Sequence, residues 1–334
     1  MTIFVAGGTG AVGRQLVPLL VSRGHRVLAT TRTPAKTAGL RAAGAEPIVV
    51  DGLDREGLLD AVVSGRPEAV VHEMTALSGT TNLRNIDETM ALSNRLRTEG
   101  TEYLLAAARA ARARLFVAQS FTGWPNSREG GWVKTEADLL DARPARHTER
   151  TLEAIRRLES MVLASTEPIG IVLRYGAFYG PGTGLGPGGE LWEAVRRRRL
   201  PVVGGGAGVW SFVHIADVAE ATRIAIEGGP AGLYNVVDDD PAEVSVWLPE
   251  LARAAGAKPP YHVPAWLGRL VIGEAGVRMM TEQRGSSNAK AKRLLGWQPT
   301  WASWREGFRS ALTGARLPAD GRAPEGAVGR ALSS

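Results

Sequence analysis

The chain has no cysteine. That excludes a disulfide framework, thiolate metal sites, iron–sulfur clusters and a cysteine nucleophile. Its five histidines, at 25, 72, 147, 214 and 262, show no ligand spacing, and His72-Glu73 lacks the second His of a helical zinc motif, so no metal site is expected. No apolar stretch approaches the roughly 18 residues of a membrane span, and Thr2–Ala6 is too short for a signal core and lacks a basic flank. A cytoplasmic protein with no membrane partner is the expectation. Lysine is scarce, occurring only at 36, 134, 258, 290 and 292, so the basic excess (net +6, pI near 9.9) is carried by arginines spread along the chain. The longest basic run, Arg196 to Arg199, reads as a solvated helix end, and no nucleic-acid partner is expected. The nucleophile-elbow pattern G-x-S-x-G is missing, as is any internal repeat. Hydrophobic residues at 44% and charged residues at 22% leave a soluble globular chain of 334 residues, long enough for one large α/β domain with a smaller appended region.

What is present is alternation. Apolar, strand-like runs at 2–6, 26–30, 46–50, 68–72 and 115–119 are separated by helical patterns near 12–23, 35–43, 55–64 and 85–112, and a further run follows at Ile169–Tyr175. Continuous apolar runs alternating with helices predict a parallel sheet covered on both faces. Gly7-Gly-Thr-Gly-Ala-Val-Gly13-Arg14 stands directly after the first run and opens a helix. Glycine there permits the tight turn, lets backbone approach a pyrophosphate and lets the helix pack close to the strand; the helix N-terminus then faces the phosphates. Residues 176–208 are rich in Gly and Pro and read as loop; the tail from about Gly314 reads as poorly ordered.

With its G-x-x-G-x-x-G spacing, the chain resembles the extended short-chain dehydrogenase/reductase superfamily in its epimerase/dehydratase branch. Asp51-Gly-Leu-Asp54, Ala69-Val-Val-His72, Leu173-Arg-Tyr-Gly-Ala-Phe-Tyr-Gly-Pro-Gly182, Ser211–Val218, Tyr234–Asp238 and Leu295-Gly-Trp-Gln-Pro299 are similar to later signatures of that family, so the resemblance runs to about residue 312. It implies an α/β, Rossmann-type doubly wound parallel sheet with a smaller C-terminal substrate-binding α/β region. The boundaries are 1–175 for the dinucleotide-binding domain, with return elements near 210–240, then 176–312 for the substrate region and 313–334 for the tail.

The resemblance also implies the cofactor contacts. Gly7, Thr9, Gly10, Ala11, Val12, Gly13 and Arg14 would hold the pyrophosphate, Asp51 and Gly52 the adenine, and Met74, Thr75 and Ala76 with Tyr175 the nicotinamide side. At the end of the second strand, where an NAD site places an acid, stands Arg32, which suits a 2′-phosphate. NADP is therefore expected, with NAD as the alternative.

The reacting half departs from the family. Its Tyr-x-x-x-Lys pair falls on Thr151 and Ile155, and no such pair exists anywhere in the chain. The family's Asn on the fourth helix is Arg97, and Phe121 takes the hydroxyl position after the fifth strand, with Ser120 and Thr122 beside it. Three readings follow: an oxidoreductase with another proton donor, a redox-neutral lyase, cyclase or epimerase-like enzyme using the nucleotide as scaffold, and a catalytically silent nucleotide sensor. Ser120, Thr122 and Tyr179 are the candidate catalytic residues. Lys134 reads as a solvated loop lysine. Ala177 and Trp210 replace the Asn and Arg that hold a nucleotide-sugar diphosphate in relatives, and Trp124, Trp132, Trp192 and Trp210 suggest an apolar or aromatic small-molecule substrate. A homodimer pairing helices near 85–112 and 148–164 is a further expectation, although the apolar stripe Leu152, Ile155, Leu158 could equally face the sheet.

Overall fold

A computed structural model describes residues 1–76 and 82–313; the tail expected to be poorly ordered lies, from residue 314 on, outside them. Seven strands form one fully parallel sheet: β1 (Thr2–Ala6), β2 (Arg26–Thr31), β3 (Glu46–Val49), β4 (Ala69–His72), β5 (Leu115–Phe121), β6 (Ile169–Tyr175) and β7 (Gly232–Val236). Their order across the sheet is β7-β6-β5-β4-β1-β2-β3. The chain builds outward from β1 to β3, then crosses back and builds from β4 the other way. Ile3 pairs with Val27 on one side and Ala69 on the other, so β1 and β4 flank the switch point, where α/β sheets open a crevice at their carboxyl ends.

The two-residue period of the strands sorts the core into two layers. Val5, Ala29, Val71, Val117 and Leu173 face α1 (Gly13–Ser22) and α5 (Ile215–Gly228). Phe4, Leu28, Val70, Phe116 and Val172 face the other way, toward α2 (Arg55–Gly65), α3 (Thr101–Ala110) and α4 (Glu149–Leu163). Each Val, Leu or Phe among them, fully buried, contributes about 1.5–3 kcal/mol from burial alone. Leu152, Ile155, Leu158 and Val162 of α4 are all buried within the monomer, so that stripe serves the chain's own core.

A second, aromatic core gathers Tyr179, Trp192, Phe212, Trp247, Trp304 and Phe308 from short strands, from a short helix at Glu190–Arg196 and from α6 (Val244–Ala254) and α8 (Trp304–Thr313), beside α7 (Ala265–Thr281). Phe212 is its hub, with ring centroids 5.4 Å from Trp247 and 5.9 Å from Trp304.

The helix expected over 85–112 is broken. Short helices at Ile86–Thr89 and Ala91–Arg95 lead into a π turn at Leu96–Gly100 before α3 resumes regular winding. Wider winding moves the inward-facing register, and Leu96, Arg97 and Gly100 are all buried.

Candidate active site

A cavity of about 470 Å³ opens at the switch point. Gly7, Thr9, Gly10, Ala11, Val12 and Arg14 line it, with Arg32 and Asp51 following β2 and β3 on one side of β1 and Met74 and Thr75 following β4 on the other, and with Gly52 against the Met74 side chain. Gly13 does not line it; it acts underneath. A Cβ there would stand 2.4 Å from the Gly7 carbonyl oxygen, so only glycine lets α1 start this close to β1. Gly7 adopts φ +99°, and a Cβ on it would meet the Glu73 carbonyl oxygen at 2.7 Å. The turn is closed by Gly10 N–H donating to the Gly7 carbonyl at 3.0 Å. Among the described residues, the N–H groups of Ala11 and Val12 have no acceptor in the chain, which leaves donors at the start of α1 for an anion.

At the far end from β4, Arg32 is joined by Lys36 and Thr33. Lys36 was not singled out in the sequence; its place on a short 3₁₀ turn, Pro34–Lys36, brings it back beside Arg32. Neither Arg32 nor Lys36 has an ion-pair partner among the described residues, and both are exposed. Arg14 bridges the cavity mouth, its Nη2 donating to the Gly182 carbonyl at 3.4 Å. Asp51 accepts from Leu53 N–H at 2.9 Å and lines the same end.

The other end differs from expectation. Tyr175 is fully buried below the cavity, its hydroxyl 2.9 Å from Glu73 Oε1 and 2.7 Å from Thr222 Oγ1, and burial raises its pKa. Ala76 is held off the lining by its N–H, which donates to Ser93 Oγ at 3.0 Å. Of the expected catalytic hydroxyls, none lines the cavity. β5 continues through Phe121, so Ser120 points down to donate to Glu159 Oε1 at 2.6 Å, beside the doubly hydrogen-bonded Arg174–Glu159 pair. Thr122 is buried 2.5 Å from Ser286 Oγ and 3.2 Å from Asn126 Oδ1. Tyr179 belongs to the aromatic core, its ring 5.2 Å from His214 and 5.7 Å from Phe308, and its hydroxyl lacks a partner among the described residues. Burial raises the pKa of that hydroxyl too, which makes it a poor proton donor.

Thr151 is likewise committed. It donates to Asp87 Oδ1 at 2.7 Å and accepts from Asn94 Nδ2 at 3.0 Å. Lys134 is not solvated: it is buried, donating to the Glu129 carbonyl and, at 3.4 Å, to Asp138. The tryptophans divide. Trp192 and Trp210 serve the aromatic core, with Trp210 Nε1 donating to the Met279 carbonyl at 3.0 Å, and Trp132 is capped by Arg284 at 3.6 Å. Trp124 lines a hollow of about 30 Å³ beside Thr148 and Leu152.

Two buried titratable groups at this end escaped sequence reasoning. Glu73, just past β4, lines the cavity, and burial pushes its carboxyl up to about 8, with Oε2 lacking a partner among the described residues. His72 is pushed down to about 4 by burial, with Nε2 3.1 Å from the Leu96 carbonyl. The signal for Glu73 was available: an acid ending an otherwise apolar buried strand is rare unless its proton or its charge is used or compensated. Among the described residues, no three metal-ligating side chains cluster, and no helix is long and apolar enough to cross a membrane.

The chain is similar to known proteins in sequence and in fold. Residues 3–236 match the model of the NAD dependent epimerase/dehydratase family. A 3-diazoavenalumate denitrifying reductase from a Streptomyces species is 42% identical over 311 residues, covering 92% of this chain and 99% of that protein. A 4-hydroxy-2-methyl-3-oxo-4-farnesyl-3,4-dihydroquinoline-1-oxide ketoreductase from Stigmatella aurantiaca is 32% identical over 273 residues, covering 77% of this chain and 74% of the ketoreductase. Among solved structures, the Thermus thermophilus UDP-glucose 4-epimerase complex with NAD superposes with TM-score 0.70 at 24% identity, covering 94% of this chain and 98% of the epimerase. Human epimerase family protein SDR39U1 with NADPH gives 0.72 at 20%, covering 94% and 100%. These two support the fold.

Proposed function

The chain belongs to the NAD dependent epimerase/dehydratase family and is an enzyme of its nicotinamide-dependent oxidoreductase type; from that premise we propose an NADP(H)-dependent reductase of a small aromatic molecule, one that removes a diazo group as the Streptomyces relative's name describes. The observation that carries the reading is a cavity whose phosphate turn is built from Gly7–Arg14 while Thr151, which stands at the family's tyrosine position, is committed to Asp87 and Asn94.

Gly7, Thr9, Gly10 and the N–H groups of Ala11 and Val12 cradle the pyrophosphate. Arg32 and Lys36 flank the adenosine ribose, and their uncompensated charges favour a 2′-phosphate over a hydroxyl. Asp51 and Gly52 border the adenine. Met74 and Thr75 border the nicotinamide ribose. When bound, a reduced nicotinamide supplies the hydride that replaces dinitrogen on the substrate, so that a C–H bond forms as the C–N bond breaks. Displacement of dinitrogen leaves no alkoxide to protonate, so a site with Thr151 and Ile155 in place of Tyr and Lys loses nothing the step needs. Carbonyl reduction would need a positioned acid. The aromatic core packs against Ala177 and Trp210, and Trp210 Nε1 is already given to the Met279 carbonyl, which supports a substrate other than a nucleotide sugar.

The test is calorimetry with NADPH and NADH, followed by incubation of the NADPH-loaded enzyme with an aryl diazo carboxylate. Tighter binding of NADPH and loss of dinitrogen with matching NADPH consumption are expected. Equal affinities would overturn the cofactor assignment, and inertness toward diazo compounds combined with turnover of a ketone would overturn the reaction type.

A further inference from the structure

Two of the residues expected beside the nicotinamide, Ala76 and Tyr175, are held elsewhere, and Glu73, Gln119 and Phe178 wall the cavity past β4. Strand register sets where they stand. Ala6 pairs with His72 and His72 with Ala118, so one residue further on Gly7, Glu73 and Gln119 form a row across the carboxyl ends of β1, β4 and β5. Two strand spacings put Gln119 about 10 Å from the phosphate turn. The two-residue period puts its side chain on the face of Leu115 and Val117, toward α1 and α5, the face that Tyr175 also takes. The same alternation sends Ser120 the opposite way, to Glu159.

Gln119 interrupts an apolar run in β5, Leu-Phe-Val-Ala-Gln, and is half-buried. It lines the cavity, and its side-chain amide makes no hydrogen bond among the described residues. An amide near the middle of a sheet is costly to leave unpaired, and this one is open to a ligand. Its polar neighbours are committed. Glu73 Oε1 meets the Tyr175 hydroxyl, Tyr175 meets Thr222, and Thr222 donates to the Val218 carbonyl at 2.7 Å. Glu73 Oε2 is buried out of reach of solvent. Thr183, on the cavity's edge, donates to the Gly180 carbonyl at 2.8 Å. Phe178, three residues past β6, also lines the cavity and packs on Tyr175 with ring centroids 5.6 Å apart, so an aromatic surface accompanies the free amide.

We propose that Gln119 recognises the carboxamide of the nicotinamide, its amide oxygen accepting from the carboxamide NH2 and its amide nitrogen donating to the carboxamide oxygen, with Phe178 against the ring. The proposal rests on the reading of the cavity as a nicotinamide dinucleotide site and names the side chain that holds the reacting ring there. A primary carboxamide presents an acceptor and a donor side by side. A side-chain amide matches both at once, whereas a carboxylate matches one of them and a hydroxyl has a single atom for the two. By holding the carboxamide, Gln119 fixes the rotation of the ring about the bond to its ribose, and with it the face turned toward the substrate.

The experiment is calorimetry on the full chain with three ligands: NADP, its 3-acetylpyridine analogue, in which a methyl ketone replaces the carboxamide, and 2′-phospho-ADP-ribose, which carries no nicotinamide. The parent protein and Gln119→Leu are compared. The parent is expected to bind NADP about fivefold or more tighter than the acetylpyridine analogue, since the ketone keeps the acceptor and loses the donor. Gln119→Leu is expected to lose about tenfold in NADP affinity, to bind the analogue and NADP alike, and to bind 2′-phospho-ADP-ribose as the parent does. An unchanged NADP affinity in Gln119→Leu would overturn the proposal, as would an equal loss for the nicotinamide-free ligand. Equal binding of NADP and the analogue by the parent would overturn it without any variant, so the test does not depend on how well Gln119→Leu folds. Failure of the parent to bind NADP would sink the cofactor reading and the proposal with it, whereas NADP binding that ignores the carboxamide would sink only the assignment to Gln119.

Discussion

At the phosphate end of the cavity the walls are backbone, the side chains are absent or small, and the cations Arg14, Arg32 and Lys36 stand at the edge in solvent. At the reacting end the relation is inverted: the titratable Glu73, His72 and Arg97 are buried, while the hydroxyls of Thr151, Thr122 and Ser120 are locked into hydrogen bonds. A pyrophosphate demands close approach of N–H groups, and few sequences satisfy that. The chemistry beyond it depends on which bond is broken, so the same fold carries a rebuilt set of groups there.

The comparison breaks most sharply at Gly13. Gly13→Val places side-chain carbon where the Gly7 carbonyl stands. We expect a loss of about 3 kcal/mol or more in stability and no measurable NADPH binding, read by thermal melting and calorimetry.

Next in size is the pH dependence set by Glu73. Its folded pKa, near 8, lies above its ordinary value of 4.5. Below the lower value the carboxyl is neutral in both states. As pH rises between the two, the unfolded chain ionises while the folded one keeps its proton, so stability falls through that window and levels above about 8. Glu73→Gln keeps an acceptor for Tyr175 and removes the ionisation. Its advantage over the parent should grow from near zero in mild acid to on the order of a few kcal/mol above neutrality. Asp238, also raised to about 8 by burial, leaves a residual slope in both proteins. Parallel pH–melting curves would contradict the buried acid.

Arg32→Ala sharpens the adenosine side. NADPH affinity should fall about ten- to a hundredfold, with NADH nearly unchanged. An equal loss for both dinucleotides would mean that Arg32 does not read the 2′-phosphate.

The smallest effects are those of the hydroxyls. Thr151→Ala and Ser120→Ala should each cost about 1–2 kcal/mol of stability, since each takes a hydrogen-bond donor from a buried carboxylate, Asp87 or Glu159, yet change turnover by less than about threefold. A hundredfold fall in turnover for either would restore it as an acid.

Much of the sheet and the phosphate turn was legible because both are written locally. The limits of β1 coincide with the run at 2–6, and the glycine spacing follows it directly. The reacting end was not legible, because its partners are far apart in sequence. Ser120 meets Glu159 across 39 residues and Thr122 meets Ser286 across 164, so neither hydroxyl's commitment shows in a motif. Tyr179 stood in a loop pattern, but the aromatic core that claims it is assembled from segments as distant as Phe308. Arg97 was visible as a departure from the family's Asn; its burial came only with the π turn, which no periodicity in 85–112 signals.

The central claim is that hydride chemistry persists where the family's acid pair is lost. The direct measurement is to load the enzyme with NADPH carrying deuterium at both C4 positions, supply an aryl diazo carboxylate, and weigh the product by mass spectrometry for the parent and for Thr151→Ala. The account predicts one deuterium at the carbon that carried the diazo group, in both proteins, with dinitrogen released. Product formed without label, or label lost in Thr151→Ala alone, would contradict it.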